Sequence, residues 1–281
     1  MTRYEGGVVS GFRRNVIRIA SGAAISQAVL IGCTPLLTRL YGPEEFGALA
    51  VFTASHTVLT AIFTLKYDLA IILPASDSEA EHLTVTVLLL STLLIIFLLL
   101  VLTVQFYLGG PKIPYYFFFL PVSTLLAAAI SCIGQWCARS NNYTRLAQSQ
   151  VIGAIANIAV AVFLGVSSGF LIGNLVIAYV VGLASVVLFM LVLHPRAWTR
   201  VFDQRIAVRV RQGLAKAREY SQFPKFVLPS SLAQILSVSA QPFLLQLFFS
   251  LKEVGYFAVA TRFLMVPSVL IGSAVAESVS S

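Results

Sequence analysis

Thr34-Pro-Leu-Leu-Thr-Arg-Leu-Tyr-Gly-Pro-Glu-Glu-Phe-Gly47 has an echo late in the chain, Gln241-Pro-Phe-Leu-Leu-Gln-Leu-Phe-Phe-Ser-Leu-Lys-Glu-Val-Gly255. Gln27 stands eight positions before Pro35, and Gln234 stands eight before Pro242. Gly47 leads into Ala50-Val51, and Gly255 leads into Ala258-Val259. The offset is 207 residues up to the proline and 208 after it, so the intervening loop differs by one residue. Self-similarity at one long spacing marks a duplicated unit.

The residues around both copies are membrane-like. The chain is 58% apolar and 11% charged, with a mean hydropathy of +0.89. A helix needs about 20 apolar residues to cross the hydrocarbon of a bilayer. Charge-free intervals of 20 residues separate Arg18 from Arg39 and Glu45 from Lys66. His82 to Lys112 encloses 29, Lys112 to Arg139 encloses 26, and Lys225 to Lys252 encloses 26. The 50 residues between Arg145 and Arg196 are divided near Gly165-Val-Ser-Ser-Gly169 into two spans. The 23 residues between Glu253 and Glu277 carry one charge, Arg262. The sum is eight spans. Backbone groups in lipid must be paired within their own segment, so each span is expected to be a helix. The three cysteines, Cys33, Cys132 and Cys137, show no metal-ligand spacing and read as small packing residues.

Lys and Arg accumulate on the cytoplasmic side of membrane proteins. With the N-terminus inside, the inner segments hold fifteen of the nineteen Lys and Arg, and the outer turns hold only Arg39, Lys112 and Lys252. The net charge of +8 therefore belongs to inner loops, and nucleic acid is not an expected partner. Six spans separate the two copies of the motif, so both copies enter the membrane in the same direction. That is a parallel repeat of two lobes. The expected organisation is an all-α polytopic membrane protein. It has a basic cytoplasmic N-terminus (1–15), a complete six-helix first lobe (16–193) and a basic linker (194–225). The first two helices of a second lobe follow (226–281), and the chain reads as C-terminally truncated. In the linker, Phe202, Ile206, Val210, Gly213 and Ala217 share one helical face, with Arg200, Arg211 and Arg218 opposite. This pattern predicts an amphipathic helix on the inner membrane surface.

Polar residues inside the spans fall in rows. Thr53, Thr57, Thr60, Thr64 and Asp68 recur at steps of three and four, with His56 beside them. Ser230, Gln234, Ser237 and Gln241 repeat that rhythm, and Gln27, Thr34 and Thr38 share a face of the first span. Such rows either line a water-filled cavity or join helices by hydrogen bonds. Pro35 and Pro242 occupy matching positions late in their helices. Each removes a backbone hydrogen bond and predicts a kink, either a hinge or a static bend. Gly42-Pro43-Glu44-Glu45 could suggest catalytic acids of a membrane glycosyltransferase. Its structural reading is a helix start, with Pro at the first position and two carboxylates on the positive helix end. Charges within spans are functional candidates because they are costly there. Arg262 is the deepest, Arg39 and Lys66 lie near span ends, and Lys66 and Asp68 are close enough in sequence to pair.

Pro35–Gly47, Leu65-Lys-Tyr-Asp-Leu-Ala-Ile71, Gln135-Trp136 with Arg139, and Tyr220-Ser-Gln-Phe-Pro224 together resemble bacterial polysaccharide-biosynthesis proteins. These are the O-antigen-type flippases of lipid-linked oligosaccharides, within the MATE-like exporter superfamily. The resemblance spans essentially the whole chain. It implies two six-helix lobes around a central cavity in the bacterial inner membrane. The implied activity is alternating-access transfer of an undecaprenyl-diphosphate-linked sugar unit to the outer leaflet, with no cofactor, no metal and no covalent catalysis. Gln27, Thr34, Thr53, His56, Thr57, Thr60, Gln234, Gln241 and Arg262 are the expected cavity residues. Arg262, Arg39 and Lys66 are the candidate contacts of the diphosphate, with snorkelling to the interface as the other reading of Arg39 and Lys66. Arginine suits that group because its planar fork donates two parallel hydrogen bonds. Membrane lipids and other polysaccharide-assembly proteins are the further partners this implies. The departure from the family is length, since its members have both lobes complete. The alternatives are a drug or cation antiporter of the same fold, which would need a buried carboxylate such as Asp68 or Glu277, and an inactive remnant.

Overall fold

A computed structural model describes residues 5–108, 113–167, 172–193, 213 and 215–278, with side chains from Ser21 to Leu264 within those ranges, Phe106 aside. Among the described residues there is no strand. The helices are α1 (Glu5–Leu40), α2 (Pro43–Thr64), α3 (Asp77–Tyr107), α4 (Leu120–Arg139), α5 (Tyr143–Ser167), α6 (Asn174–Leu193), α7 (Leu228–Phe248) and α8 (Leu251–Ser278). Seven of them, α1 to α7, are long and apolar enough to cross a membrane. The eighth expected span is α8, of 28 residues, whose second half lies beyond the described side chains. Glu277 is in that part.

Two boundaries differ from the expected ones. The first helix starts at Glu5 and runs 36 residues, about 54 Å at 1.5 Å per residue, so it continues well past a hydrocarbon core of about 30 Å. The third starts at Asp77, six positions before the charge-free interval. Ser76 caps it by accepting from the Glu79 N–H at 3.3 Å, and Asp77 and Glu79 sit on the positive helix end. The charges that marked a loop thus belong to a helix start. Pro35 and Pro242 both lie inside continuous helices.

α5 packs between α1 and α6 through small residues. Gly153 and Gly182 face each other closely enough that a Cβ on either would lie 3.0–3.2 Å from the other's carbonyl oxygen. Small residues permit such close backbone approach in membranes, where no hydrophobic drive joins helices. One core, around Phe46, Phe52, Tyr116, Leu120 and Val176, ties α2 to α4 and α6. Tyr41 closes it by donating to the Ala161 carbonyl at 2.6 Å.

At the far end of α2 the chain turns sharply. Leu65 (φ 47°) and Lys66 (φ 59°) are both left-handed, a conformation that costs an ordinary side chain roughly 1–2 kcal/mol. A 3-10 turn, Tyr67–Ile72, follows. Arg139, at the end of α4, clamps the next stretch by donating to Asp77 (2.8 Å), the Pro74 carbonyl (2.7 Å) and the Ile72 carbonyl (3.2 Å). Arg139→Lys keeps the charge and loses the fork, and is expected to cost about 1–2 kcal/mol. Thermal unfolding in detergent measures it, and an unchanged midpoint refutes the clamp.

The amphipathic face expected at 202–210 lies outside the described residues, as do Arg200 and Arg211. Residues 213 and 215–223 of its continuation pack on α3 and the turn after α2. Gly213 and Ala217 are buried and Arg218 is exposed. A Cβ on Gly213 would strike Thr86 and the His82 carbonyl of α3, and Tyr67 donates to the Ala217 carbonyl at 3.0 Å. Lys216 pairs with Glu79 at 3.3 Å and with Glu219 at 3.0 Å. From there a π-helical turn, Phe223–Val227, leads straight into α7.

Candidate functional site

The repeated motif acquires its meaning where the two copies meet. α8 lies along α2, α7 also packs on α2, and α8 touches α1. Gly47 of α2 and Gly255 of α8, the repeat-equivalent glycines, face each other at the crossing. A Cβ on Gly47 would fall on the Leu251 carbonyl oxygen, and one on Gly255 would fall on that of Pro43. The same hypothetical atoms lie 3.2 Å from Gly255 N and 3.1 Å from Gly47 N. Backbone meets backbone in both directions, so only glycine fits at either position. The two copies are thus each other's contact surface.

Gln234, Ser237 and Gln241 on α7 are all exposed, as is Thr57 on α2, while Thr53 and Thr60 are half-buried. The threonines hydrogen-bond carbonyls of their own helix: Thr53 to Leu49, Thr57 to Thr53 and Thr60 to His56, each at 2.8 Å. Their hydroxyl donors are therefore satisfied internally, and what they offer a ligand is acceptor oxygen. Thr34 and His56 are placed differently. Thr34 is fully buried and bonds the Leu30 carbonyl, and His56 is packed between helices of the first lobe. His56 Nδ1 lies 3.1 Å from Ser123 Oγ of α4, with its ring edge-on to Tyr179 of α6 at 5.5 Å and stacked with Phe52. Both therefore serve the lobe's interior packing in this conformation.

Gln27 opens onto a cavity of about 360 Å³ between α1, α5 and α6, with Ser26, Gln150, Asn157 and Tyr179 among its lining residues. Sequence reading passed over Gln150 and Asn157. They bracket Gly153 at steps of three and four, so the same periodicity test would have found them on α5.

The three cations do not form one cluster. Arg262 reaches Phe46, with its guanidinium carbon 5.8 Å from the ring centre. Helical side chains tilt toward the N-terminus, so the charge is carried back toward the Gly47–Gly255 crossing. Arg39 is exposed in the last turn of α1, at that same end. Lys66 lies past the other end of α2, about 30 Å away by helix length. One diphosphate cannot touch Lys66 and Arg262 together. Among the described residues no carboxylate forms an ion pair with Arg262. Nor do Lys66 and Asp68 pair with each other.

The acidic pair of the Gly42-Pro43-Glu44-Glu45 turn divides. Gly42 caps and Pro43 starts α2, as the sequence reading expects. Glu45, however, is buried and turned to another helix, where it accepts from the Gly173 N–H at 2.8 Å and the Leu175 N–H at 3.3 Å. It caps α6. Among the described residues no group of three or more His, Cys, Asp and Glu could hold a metal ion.

Residues 12–279 match the family model described as polysaccharide biosynthesis protein. The chain belongs to that family. The match covers both copies of the motif and everything between them, so the repeat and the crossing it builds fall within the family's own sequence pattern. No curated protein and no solved structure matches the chain.

Proposed function

We propose that this multi-pass member of the polysaccharide biosynthesis family is a flippase for lipid-linked oligosaccharide, working by alternating access in the bacterial inner membrane with its N-terminus in the cytoplasm. The observation that carries the reading is the reciprocal Gly47–Gly255 crossing between the two copies of the motif, on helices α2 and α8, with exposed Thr57 on α2 and exposed Gln234 and Gln241 on the neighbouring α7. A close contact between two lobes, with polar side chains on the helices that make it, suits a carrier that exposes its cargo to one side at a time. In this orientation the crossing is at the outer end and the cargo face is reached from the inside. Arg262 is the cation that meets the diphosphate, and the amides and hydroxyls meet the sugar. The lipid tail stays in the bilayer. Pro35 and Pro242 are the hinges. No bond of the cargo is made or broken, so the protein is a transporter and not an enzyme.

The test uses the full chain in vesicles whose inner leaflet carries a polyprenyl-diphosphate-linked sugar. Appearance of the sugar to an external lectin, dependent on the protein, is the expected result. Arg262→Ala should slow it at least about tenfold, the effect of losing one charge-assisted bidentate contact worth about 1.5–3 kcal/mol. Arg262→Lys should recover only part. No lectin signal, or efflux of cationic dyes in its place, would overturn the reading.

A further inference from the structure

Asp68 lies in the 3-10 turn after α2, outside the membrane-spanning helices, and is 6% exposed. Its Oδ1 is fully buried and, among the described residues, has no hydrogen-bond partner. A carboxylate oxygen without a donor in such a place is costly, whereas a carboxyl that holds a proton is far less so. Burial accordingly pushes the Asp68 carboxyl up from its ordinary value, against the opposing pull of Lys66 and of hydrogen bonds from the Thr64 hydroxyl and the Asp68 and Leu69 amides. Next to Asp68 is the cluster formed by Ala70, Ile71, Leu83 and Cys132, on which Tyr220 and Phe223 pack. Tyr67 adds its hydrogen bond to Ala217. Residues 213 and 215–223, which feed directly into α7, are therefore docked beside the turn that carries Asp68.

Lys66 and the Cys132 thiol of α4 are the ionisable groups that interact with Asp68. Elsewhere on the packed elements, Arg139 is engaged by Asp77 and two carbonyls, and Glu79 of α3 pairs with Lys216 of the docked segment. His82 of α3 faces Ser78 at 3.4 Å, and Arg218 and Lys225 are exposed.

We propose that Asp68 is a proton-binding site whose occupancy is coupled to docking of residues 215–223, so that the proton holds the root of α7 against α3 and α4. The sign follows from linkage. The docked state binds the proton more tightly than the undocked state, where water reaches the carboxylate. Docking is therefore strongest in acid and weakens as pH rises from the ordinary carboxylate value to the raised one. This holds whatever cargo the protein carries, so its failure would leave the flippase reading standing.

Hydrogen exchange of the backbone amides at 215–223, measured on the full chain in nanodiscs and expressed as protection factors, tests it. Wild-type protection should fall with rising pH by up to about tenfold per pH unit inside the window, the limit for one proton. Asp68→Asn should remove that slope and keep the segment protected at neutral pH. Lys66→Gln, which removes the opposing charge, should move the window to higher pH. A flat wild-type profile, an unchanged slope in Asp68→Asn, or a window unmoved by Lys66→Gln would each overturn the proposal.

Discussion

Gly255→Val is expected to be the most damaging single substitution in the chain outside the deep core. The new side chain would meet the carbonyl of Pro43 and the amide of Gly47, both main-chain groups. Overpacking usually costs about 1–3 kcal/mol, because neighbouring side chains shift to make room. Here nothing flexible stands in the way, so α2 and α8 must separate or the lobes must tilt. A cost at or above about 3 kcal/mol is expected for the closed arrangement. The lobes meet elsewhere through α7 on α2, so the chain should still fold. What it should lose is the state closed at the Pro43 end. Pairs of spin labels on exposed Leu36 and Phe249 would report that opening as a longer distance in the variant. Transport should fall with it, because a carrier unable to close one end cannot alternate. Gly47→Val should behave alike, since the contact is reciprocal. Wild-type label distances with wild-type lectin signal in either variant would rule out the crossing as a gate.

The architecture could be read from the sequence because membrane physics leaves few choices. Runs of 20 to 30 uncharged residues have one solution in lipid, and seven expected spans appear as apolar helices, with α8 in place of the eighth. The family, too, was legible in Pro35–Gly47 and its companions. Facing was harder to read. Thr34 and Gln27 share a face of α1 by periodicity, yet Thr34 is wholly buried and Gln27 exposed, because packing neighbours differ along the helix. His56 sits in a row of threonines and still turns to Ser123 and Tyr179, both distant in sequence. A helical wheel gives angle and not neighbour. The spacing of the three candidate cations was hidden for a simpler reason. Charge identity was visible, but the 22 residues of α2 put Lys66 and Arg262 at opposite ends. The glycine crossing was half visible. The repeat singled out Gly47 and Gly255, and only three-dimensional packing showed that they touch.

Glu45→Ala carries the second large effect, and it separates two accounts of one motif. If the acidic pair served only the start of α2, removing one carboxylate would cost a few tenths to about 1 kcal/mol of helix-dipole energy. Glu45 instead satisfies the first N–H groups of α6, 128 and 130 positions away, from a site that is 6% exposed. Those donors have no partner within their own helix. Removing the carboxylate strands them where water cannot replace it, and hydrogen bonds to a charged group are worth about 1.5–3 kcal/mol each. The expected loss is about 3 kcal/mol or more, seen as a lower unfolding midpoint in detergent. Glu45→Gln keeps an acceptor and loses the charge, so it should fall between wild type and alanine. Glu44→Ala, at a half-buried neighbour that makes no such bond to α6, should stay near wild type. That order would identify Glu45 as the pin holding α6 to α2. If instead Glu44→Ala and Glu45→Ala cost the same, the carboxylates would act only on their own helix. On the proposed alternating-access reading, the pin matters because α2 bears Gly47. A lobe that swings on its neighbour must move as one body, and Glu45 joins the gate-bearing helix to the last helix of its lobe.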